Sequence, residues 1–251
     1  MYRKGQSESA GQSRQEVKDA VFRMMLAIET SRRRASLVMV ENGVVRARRA
    51  LAEGLSQGSG LVPLLAALLD ETGSAAREIR AVAINVGPGS ATGLRMGVAL
   101  AQAFALAHPG TEFHAVPLED IGLAALRRED PPGRAALLLE VAQGGCFFAQ
   151  RYTKNGEWQK EGVIEVRQPQ QINFEVASAL LCGAGTRATA LPAAPAPLLR
   201  DFPDAALVAA TALTVGDYRV PIEKLAVRYL LPTSAEVLWE RRRSGMVETR
   251  K

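Results

Sequence analysis

Apolar positions along the chain gather into short unbroken runs and into spaced stripes, and the two kinds alternate. Met24–Ile28 is a short apolar run closing on Glu29-Thr30-Ser31, and Ala35–Val40 is a second, with Arg32-Arg33-Arg34 making the turn between them. Asn42-Gly43 is a strong hairpin signal because both residues tolerate positive φ, so Val44–Leu51 is expected to return as a third strand. Gly54 to Gly60 is a glycine- and serine-rich loop into a helix, Leu61–Thr72, capped by Gly73. On that helix Leu61, Leu64, Leu65 and Leu68 form one stripe and Val62, Ala66 and Leu69 a second.

The densest stretch follows. Ala81–Val86 is uncharged with a Val/Ile core, the mark of a strand buried on both faces. Gly87-Pro88-Gly89-Ser90 cannot continue it, since Pro88 has no N–H and glycine favours turns. Thr92 or Ser90 then caps a helix running to about Ala107. Its Gly93, Gly97, Ala101 and Ala105 lie four apart, a stripe on which another backbone can approach closely. Leu94, Met96, Val98, Leu100 and Phe104 cover most of what remains, leaving Arg95 and Gln102 clearly polar. A helix apolar nearly all round is buried on more than one side, and its own sheet supplies only one of them.

Phe113–Val116 is a short strand and Leu118–Arg127 a helix; beyond the Pro131-Pro132-Gly133 break the order repeats. Ala135–Val141, Cys146–Tyr152 and Trp158–Val166 read as three strands, the last two joined at Asn155-Gly156. Ala179–Cys182 runs into Gly183-Ala184-Gly185 as Val86 runs into Gly87-Pro88-Gly89. Two copies of one β-rich unit imply a duplicated two-lobe α/β protein. Pro192 to Pro203 reads as a connector, Ala205–Gly216 as a short helix, and Val227–Leu231 as an extended segment stopped by Pro232. Thr233-Ser234-Ala235-Glu236 is a capping box opening a last helix.

Composition narrows the function classes. In 251 residues the hydrophobic share is 47%, enough for a sizeable core, and no run reaches the ~20 apolar residues that span a bilayer. Lys and Arg exceed Asp and Glu by 31 to 26, an excess compatible with a nucleic-acid partner but too diluted to establish one. Aromatics, at 5%, are too few for a base-stacking surface. Cys146 and Cys182 have no CxxC spacing and fit a reducing compartment as small buried residues. Residues 1–23 are polar and acidic enough to resemble neither a secretory signal nor a transit peptide, and are expected to be a disordered extension. The expected location is the cytoplasm.

The catalytic inventory is poor. Gly87, Gly89 and Gly93 approach the dinucleotide fingerprint, but its third glycine falls on Thr92, and no Gly-Lys-Ser or Gly-Lys-Thr P-loop occurs. Glu29, Thr30, Gly87 and Gly89 are therefore the candidates for a weak nucleotide site, against a structural turn. His108 and His114 have no ligand partners at metal spacing, so no metal is expected. No Gly-x-Ser-x-Gly occurs and Cys146 has no evident base. Glu29 is the best-placed acid, either steering a metal-bound water or phosphate in an ATPase-like fold or serving as a turn residue. Its counterpart in the second copy, sought near Val141, is not acidic. Arg32-Arg33-Arg34 and Arg241-Arg242-Arg243 read as solvated turns or, alternatively, as phosphate contacts.

Asn85-Val86-Gly87-Pro88-Gly89-Ser90-Ala91-Thr92-Gly93-Leu94-Arg95-Met96-Gly97 resembles the VGPGSFTGLRIG-like segment of the TsaB (YeaZ) family, with Ala91 in place of Phe. Leu26-Ala27-Ile28-Glu29-Thr30-Ser31 resembles that family's opening LAIDTS, with Glu for Asp. Leu61-Val62-Pro63-Leu64-Leu65 resembles its LLP helix, with Gln57 where His is common, and Tyr229-Leu230-Leu231-Pro232 its terminal YLRP. Val141–Phe148 stands where DARRGEVY-like residues are expected and lacks the acid and both arginines. The resemblance covers about Met24 to Ala235 and is strongest in the first lobe.

That resemblance implies a duplicated actin-like, sugar-kinase-like ATPase (ASKHA, RNase H-like) fold related to TsaD, with no catalysis, metal or cofactor of its own. It implies an accessory subunit that binds and activates TsaD, which transfers a threonylcarbamoyl group to tRNA adenosine next to the anticodon. A TsaE-like ATPase docks on the pair, and tRNA is met only through the complex. The expected interface is Leu61, Leu65, Leu68, Leu69, Gly93, Leu94, Gly97, Val98, Ala101 and Gln102, a surface that also suits a homodimer when the chain is alone. A large charged residue at Gly97 or Val98 is expected to abolish pairing without unfolding the chain. The expected parts are a first lobe over residues 24–110, a second over 111–222, and a C-terminal segment and helix over 223–251 that pack back on the lobes. The competing readings are a self-sufficient nucleotide-dependent enzyme of the same fold and a degenerate TsaB paralogue.

Overall fold

The apolar runs pair as the hairpin signals predict and build two sheets of one design. The computed structural model describes residues 24–32, 34–52, 57–140, 145–173, 177–182, 187–199, 202–214 and 216–232. β1 (Met25–Glu29), β2 (Ser36–Glu41) and β3 (Val44–Ala50) form an antiparallel meander. Its tight turn is Asn42-Gly43, with φ of 51° and 79°, the pair of left-handed residues that suits strand twist. β4 (Ala81–Gly87) pairs with β1 in parallel, and β5 (Glu112–Pro117) with β4 in parallel. With the two-residue β10 (Arg219–Val220) on β5, the order is β10-β5-β4-β1-β2-β3.

The second sheet repeats the first four strands. β6 (Arg134–Glu140), β7 (Phe147–Asn155) and β8 (Glu157–Arg167) form a meander, and β9 (Ala177–Leu181) joins β6 in parallel, giving β8-β7-β6-β9. The duplicated two-lobe α/β fold is thus present strand for strand. Strand β5, just beyond residue 110, lies in the first sheet. β5 pairs with β4 because the intervening helix is a crossover returning to the same sheet, the usual connection between parallel strands.

Among the described residues, four helices complete the lobes. α1 (Gln57–Thr72) starts before Leu61 and ends in a Schellman turn, where Gly73 has φ 62° and Ser74 N–H donates to Leu69 O at 3.0 Å. α2 (Ala91–Ala107) is capped by Ser90, whose hydroxyl accepts from Gly93 N–H at 3.2 Å. Both pack on one face of the six-stranded sheet, in a core with Leu26, Ile28, Leu37, Met39, Val82 and Ile84. α3 (Leu118–Glu129) follows β5 directly and is buried from Leu118 to Leu126, because it lies between β4 and β5 of one sheet and β6 and β8 of the other. α4 (Ala205–Thr214) packs on β1, β2 and β4, so the chain returns from the second lobe to the first sheet before β10. The expected features at residues 1–23, Arg33, Val141–Gly144, Gly183–Gly185 and 233–251 lie outside the described residues.

Candidate functional site

The proposed nucleotide residues do meet. β1 ends at Glu29 and β4 at Gly87, side by side at the carboxyl edge of the sheet, the crevice where ligands of open α/β sheets usually sit. Glu29 and Gly87, however, are bonded to neighbouring residues of the chain. Ser31 N–H donates to Glu29 Oε1 at 2.6 Å and Asn85 Nδ2 to Glu29 Oε2 at 2.6 Å. Gly87 N–H donates to Asn85 Oδ1 at 2.8 Å, and Ser90 N–H to Ser31 O at 2.8 Å. The Gly87–Pro88 bond is cis, and Pro88 offers no donor. Glu29 is fully buried; burial pushes its carboxyl pKa up, against the hydrogen bonds from Ser31 and Asn85 that lower it.

Close packing explains the glycines better than a phosphate does. A β-carbon on Gly89 falls 2.5 Å from Ser31 Cβ, and one on Gly97 falls 2.4 Å from Thr30 Oγ1 and 3.1 Å from Ile84 Cδ1. The small-residue stripe on α2 therefore admits the turn after β1 and the chain's own sheet, where a second helix was expected. Sequence spacing showed that something approaches; it could not say from which side.

The expected interface residues divide accordingly. Leu61, Leu68, Gly93, Leu94, Gly97, Val98 and Ala101 are buried within the chain. Leu65 and Leu69 are half-buried, and Gln102 is exposed. Two large apolar residues outside the expected set are exposed on these helices: Val62 on α1 at 65% and Leu106 on α2 at 86%. With Gly97 and Val98 inside, a large charged residue there disrupts the core before it can report on a partner.

The remaining candidates have structural surroundings. Arg32 reaches across the lobes: its Nη1 donates to Phe202 O at 3.1 Å. Burial lowers its pKa, opposed by Cys182, Glu29 and Glu140. Glu140, the last residue of β6, is the acid missing from the sequence reading, which ran that strand on to Val141. The signal was there, since Leu137-Leu138-Leu139-Glu140 ends on an acid as Leu26-Ala27-Ile28-Glu29 does. Arg34 Nε donates to Leu51 O at 3.3 Å. His108 caps α2 with its ring 4.6 Å from that of Phe104. His114 is buried in β5, its pKa lowered by burial and by Arg219. Cys146 and Cys182 are buried free thiols. Among the described residues no three His, Cys, Asp or Glu side chains could hold a metal ion, and no helix is long and apolar enough to cross a membrane.

Comparison with known proteins agrees with this geometry. A family model described as TsaD, tRNA N6-adenosine threonylcarbamoyltransferase, matches residues 58–159. The Escherichia coli (strain K12) tRNA threonylcarbamoyladenosine biosynthesis protein TsaB is 26% identical over 152 residues, 59% of this chain and 64% of that protein. The match thus spans just under two thirds of the relative. YeaZ from Pseudomonas aeruginosa superposes with a TM-score of 0.65 at 24% identity, covering 82% of this chain and 99% of that one. A second Pseudomonas aeruginosa protein, described as similar to peptidase YEAZ, gives a TM-score of 0.67 at 24% identity, covering 83% and 99%. These matches show that the chain is similar to TsaB and YeaZ proteins. The two-lobe α/β fold is the one expected from sequence, and the segment matched by the TsaD model runs from the second residue of α1 into β8.

Proposed function

We propose that this protein is a non-catalytic subunit that binds and activates a TsaD-like partner in threonylcarbamoyl transfer to the adenosine beside the anticodon of tRNAs reading ANN codons. The observation that carries the reading is the outer face of α1 and α2, where Val62 and Leu106 stand 65% and 86% exposed. A partner lying across both helices would take these side chains out of water. Leu65, Leu69 and Gln102 belong to that face, and the buried Leu61, Leu68, Gly93, Leu94, Gly97, Val98 and Ala101 form the base that holds it in place. The glycine turn supports a scaffold role too, because Gly87 N–H and Ser90 N–H are already bonded within the chain. A TsaE-like ATPase docks on the pair, tRNA is met through the complex, and the work belongs to the cytoplasm. In isolation the same face serves a homodimer.

The test is co-purification of the full chain with a TsaD-like subunit. Replacing Val62→Asp together with Leu106→Asp is expected to abolish the complex, while the thermal midpoint stays within about 2 °C because exposed sites carry little stability. Wild-type yield of complex from that variant sinks the reading.

A further inference from the structure

Two segments far apart in sequence, one around Arg95 and one around Tyr229, meet at the first turns of α2. Residues 225–232 cross the carboxyl end of β4 as a strap. Leu225, 3% exposed, is anchored in the core under α1 and α2, with Val227 packed against it, and Leu230 and Leu231 pack against the core that runs between the lobes. Between these anchors the strap is tied at three points. Arg228 N–H donates to Val86 O at 2.8 Å, taking up a strand-end carbonyl. The Arg228 guanidinium pairs with Glu119 at the start of α3, a carboxylate that is itself 7% exposed. Arg95 Nε on α2 donates to Tyr229 Oη at 2.7 Å, and its guanidinium carbon lies 5.4 Å from the Tyr229 ring centre, within cation–π reach.

The strap also explains a glycine. A β-carbon on Gly87 would sit 2.9 Å from Arg228 O and 2.8 Å from Leu94 Cδ1, so this position clears room for the strap and for α2 together. What looked in the sequence like a phosphate loop is the floor on which the strap lies.

We infer that the strap is a positioning element for α2: Arg228 fastens it across the lobes, and Tyr229 holds the Arg95 turn, fixing the angle at which the outer α1/α2 face is presented. Only the consequence for partner affinity rests on the docking reading; the hold on α2 does not. Arg95 and Tyr229 act through the helix, and Tyr229 is 41% exposed, so its loss perturbs the fold little.

The experiment follows amide hydrogen exchange of the full chain by mass spectrometry, alongside affinity for a TsaD-like subunit. Tyr229→Ala is expected to speed exchange in residues 91–98 by 3- to 10-fold and to weaken partner binding by a similar factor, with α1 unchanged. Tyr229→Phe keeps the ring under Arg95 and is expected to restore most of both effects. Trp158→Phe, in the second lobe, is the destabilised control: it lowers the thermal midpoint without moving either readout. Unchanged exchange in residues 91–98 of Tyr229→Ala overturns the hold on α2. Faster exchange with wild-type affinity overturns the positioning role and leaves the docking reading intact. If the wild-type chain binds no TsaD-like subunit, the docking reading falls, and the exchange result alone decides the strap's hold.

Discussion

The two lobes share a strand order and differ in what covers it. In the first, the meander and its parallel partner carry α1 and α2 on one face and α3 and α4 on the other. In the second, the face turned inward meets α3 and the common core through Leu137, Leu139, Phe148, Tyr152 and Trp158. Among the described residues, its other face has a small cluster of Leu138, Phe147, Leu180, Cys182 and Ala188, and the connections after β8 and β9 hold short 3-10 turns, Pro169–Gln171 and Arg187–Ala190. Among those residues one copy of the unit carries a helix pair and the other does not. The difference fits the proposed function: the extra helices of the first lobe carry the exposed Val62 and Leu106 proposed to meet a partner, while the second lobe packs its inner strand face against α3.

The sharpest way to break that contrast is at glycine. Gly97 is a packing glycine, with Thr30 Oγ1 only 2.4 Å from where a β-carbon would be, whereas Gly162 in β8 has φ +73° and nothing within 4 Å. Gly97→Ala is expected to lower unfolding free energy by about 3 kcal/mol, because α2 must lift from the sheet. Gly162→Ala costs about 1 kcal/mol, the left-handed backbone penalty alone. Urea denaturation of the two variants reads the difference directly. Equal costs would mean that the α2–sheet contact is loose and that the first lobe is no more tightly built than the second.

The seam between the lobes gives a smaller effect. Tyr152, fully buried in β7, donates its hydroxyl to Glu119 O at 2.8 Å, and a β-carbon on Gly122 of α3 would lie 2.3 Å from that hydroxyl. Lys160 of β8 reaches Asp120 at 2.5 Å beside it. Gly122→Ala is expected to cost about 2 kcal/mol, and Tyr152→Phe about 1 kcal/mol for the lost hydrogen bond. Together they should cost less than their sum, since removing the hydroxyl admits the new methyl. Strict additivity in the double-mutant cycle would show that α3 does not transmit strain between the sheets.

Much of this was legible before any coordinates. Asn42-Gly43, the uncharged Ala81–Val86 run and Gly73 each declared a local conformation, because their chemistry permits few others. The duplication could be read because strand order is written in the sequence of turns. What stayed hidden was direction. Spacing put Gly93, Gly97 and Ala101 on one stripe of α2, but only the neighbouring Thr30 and Ile84 show that the stripe faces inward. Val62 belonged to a secondary stripe in sequence, and Leu106 to none, yet these two carry the exposed face. The strap was expected to pack back on the lobes, but its partners Val86, Glu119 and Arg95, more than a hundred residues away, could not be read from it.

The smallest effects concern pH, and they too separate the lobes. Glu29 and His114 are both buried in the six-stranded sheet, while the buried polar side chain of the second sheet, Gln150, does not titrate in the acid range. Burial raises the Glu29 pKa above 4.5, so the native state keeps a proton that the unfolded chain has released. Stability from this group is full below pH 4.5 and is lost as pH rises through the native value. His114 behaves oppositely: burial, and then Arg219, lower its pKa below 6.5, against Asp217, whose own carboxyl Arg219 holds down to about 2. Its contribution is full above pH 6.5 and is lost as pH falls below that. Between these limits the two slopes oppose each other. Glu29→Gln loses about 1 kcal/mol at pH 4.5, because an amide nitrogen must face one of the donors from Ser31 or Asn85, and its deficit should shrink as pH rises. His114→Asn should differ most from wild type above pH 6.5 and converge with it in acid. Urea midpoints from pH 4.5 to 7.5 distinguish them; curves that stay parallel to wild type for both variants would move the acid response out of the first lobe.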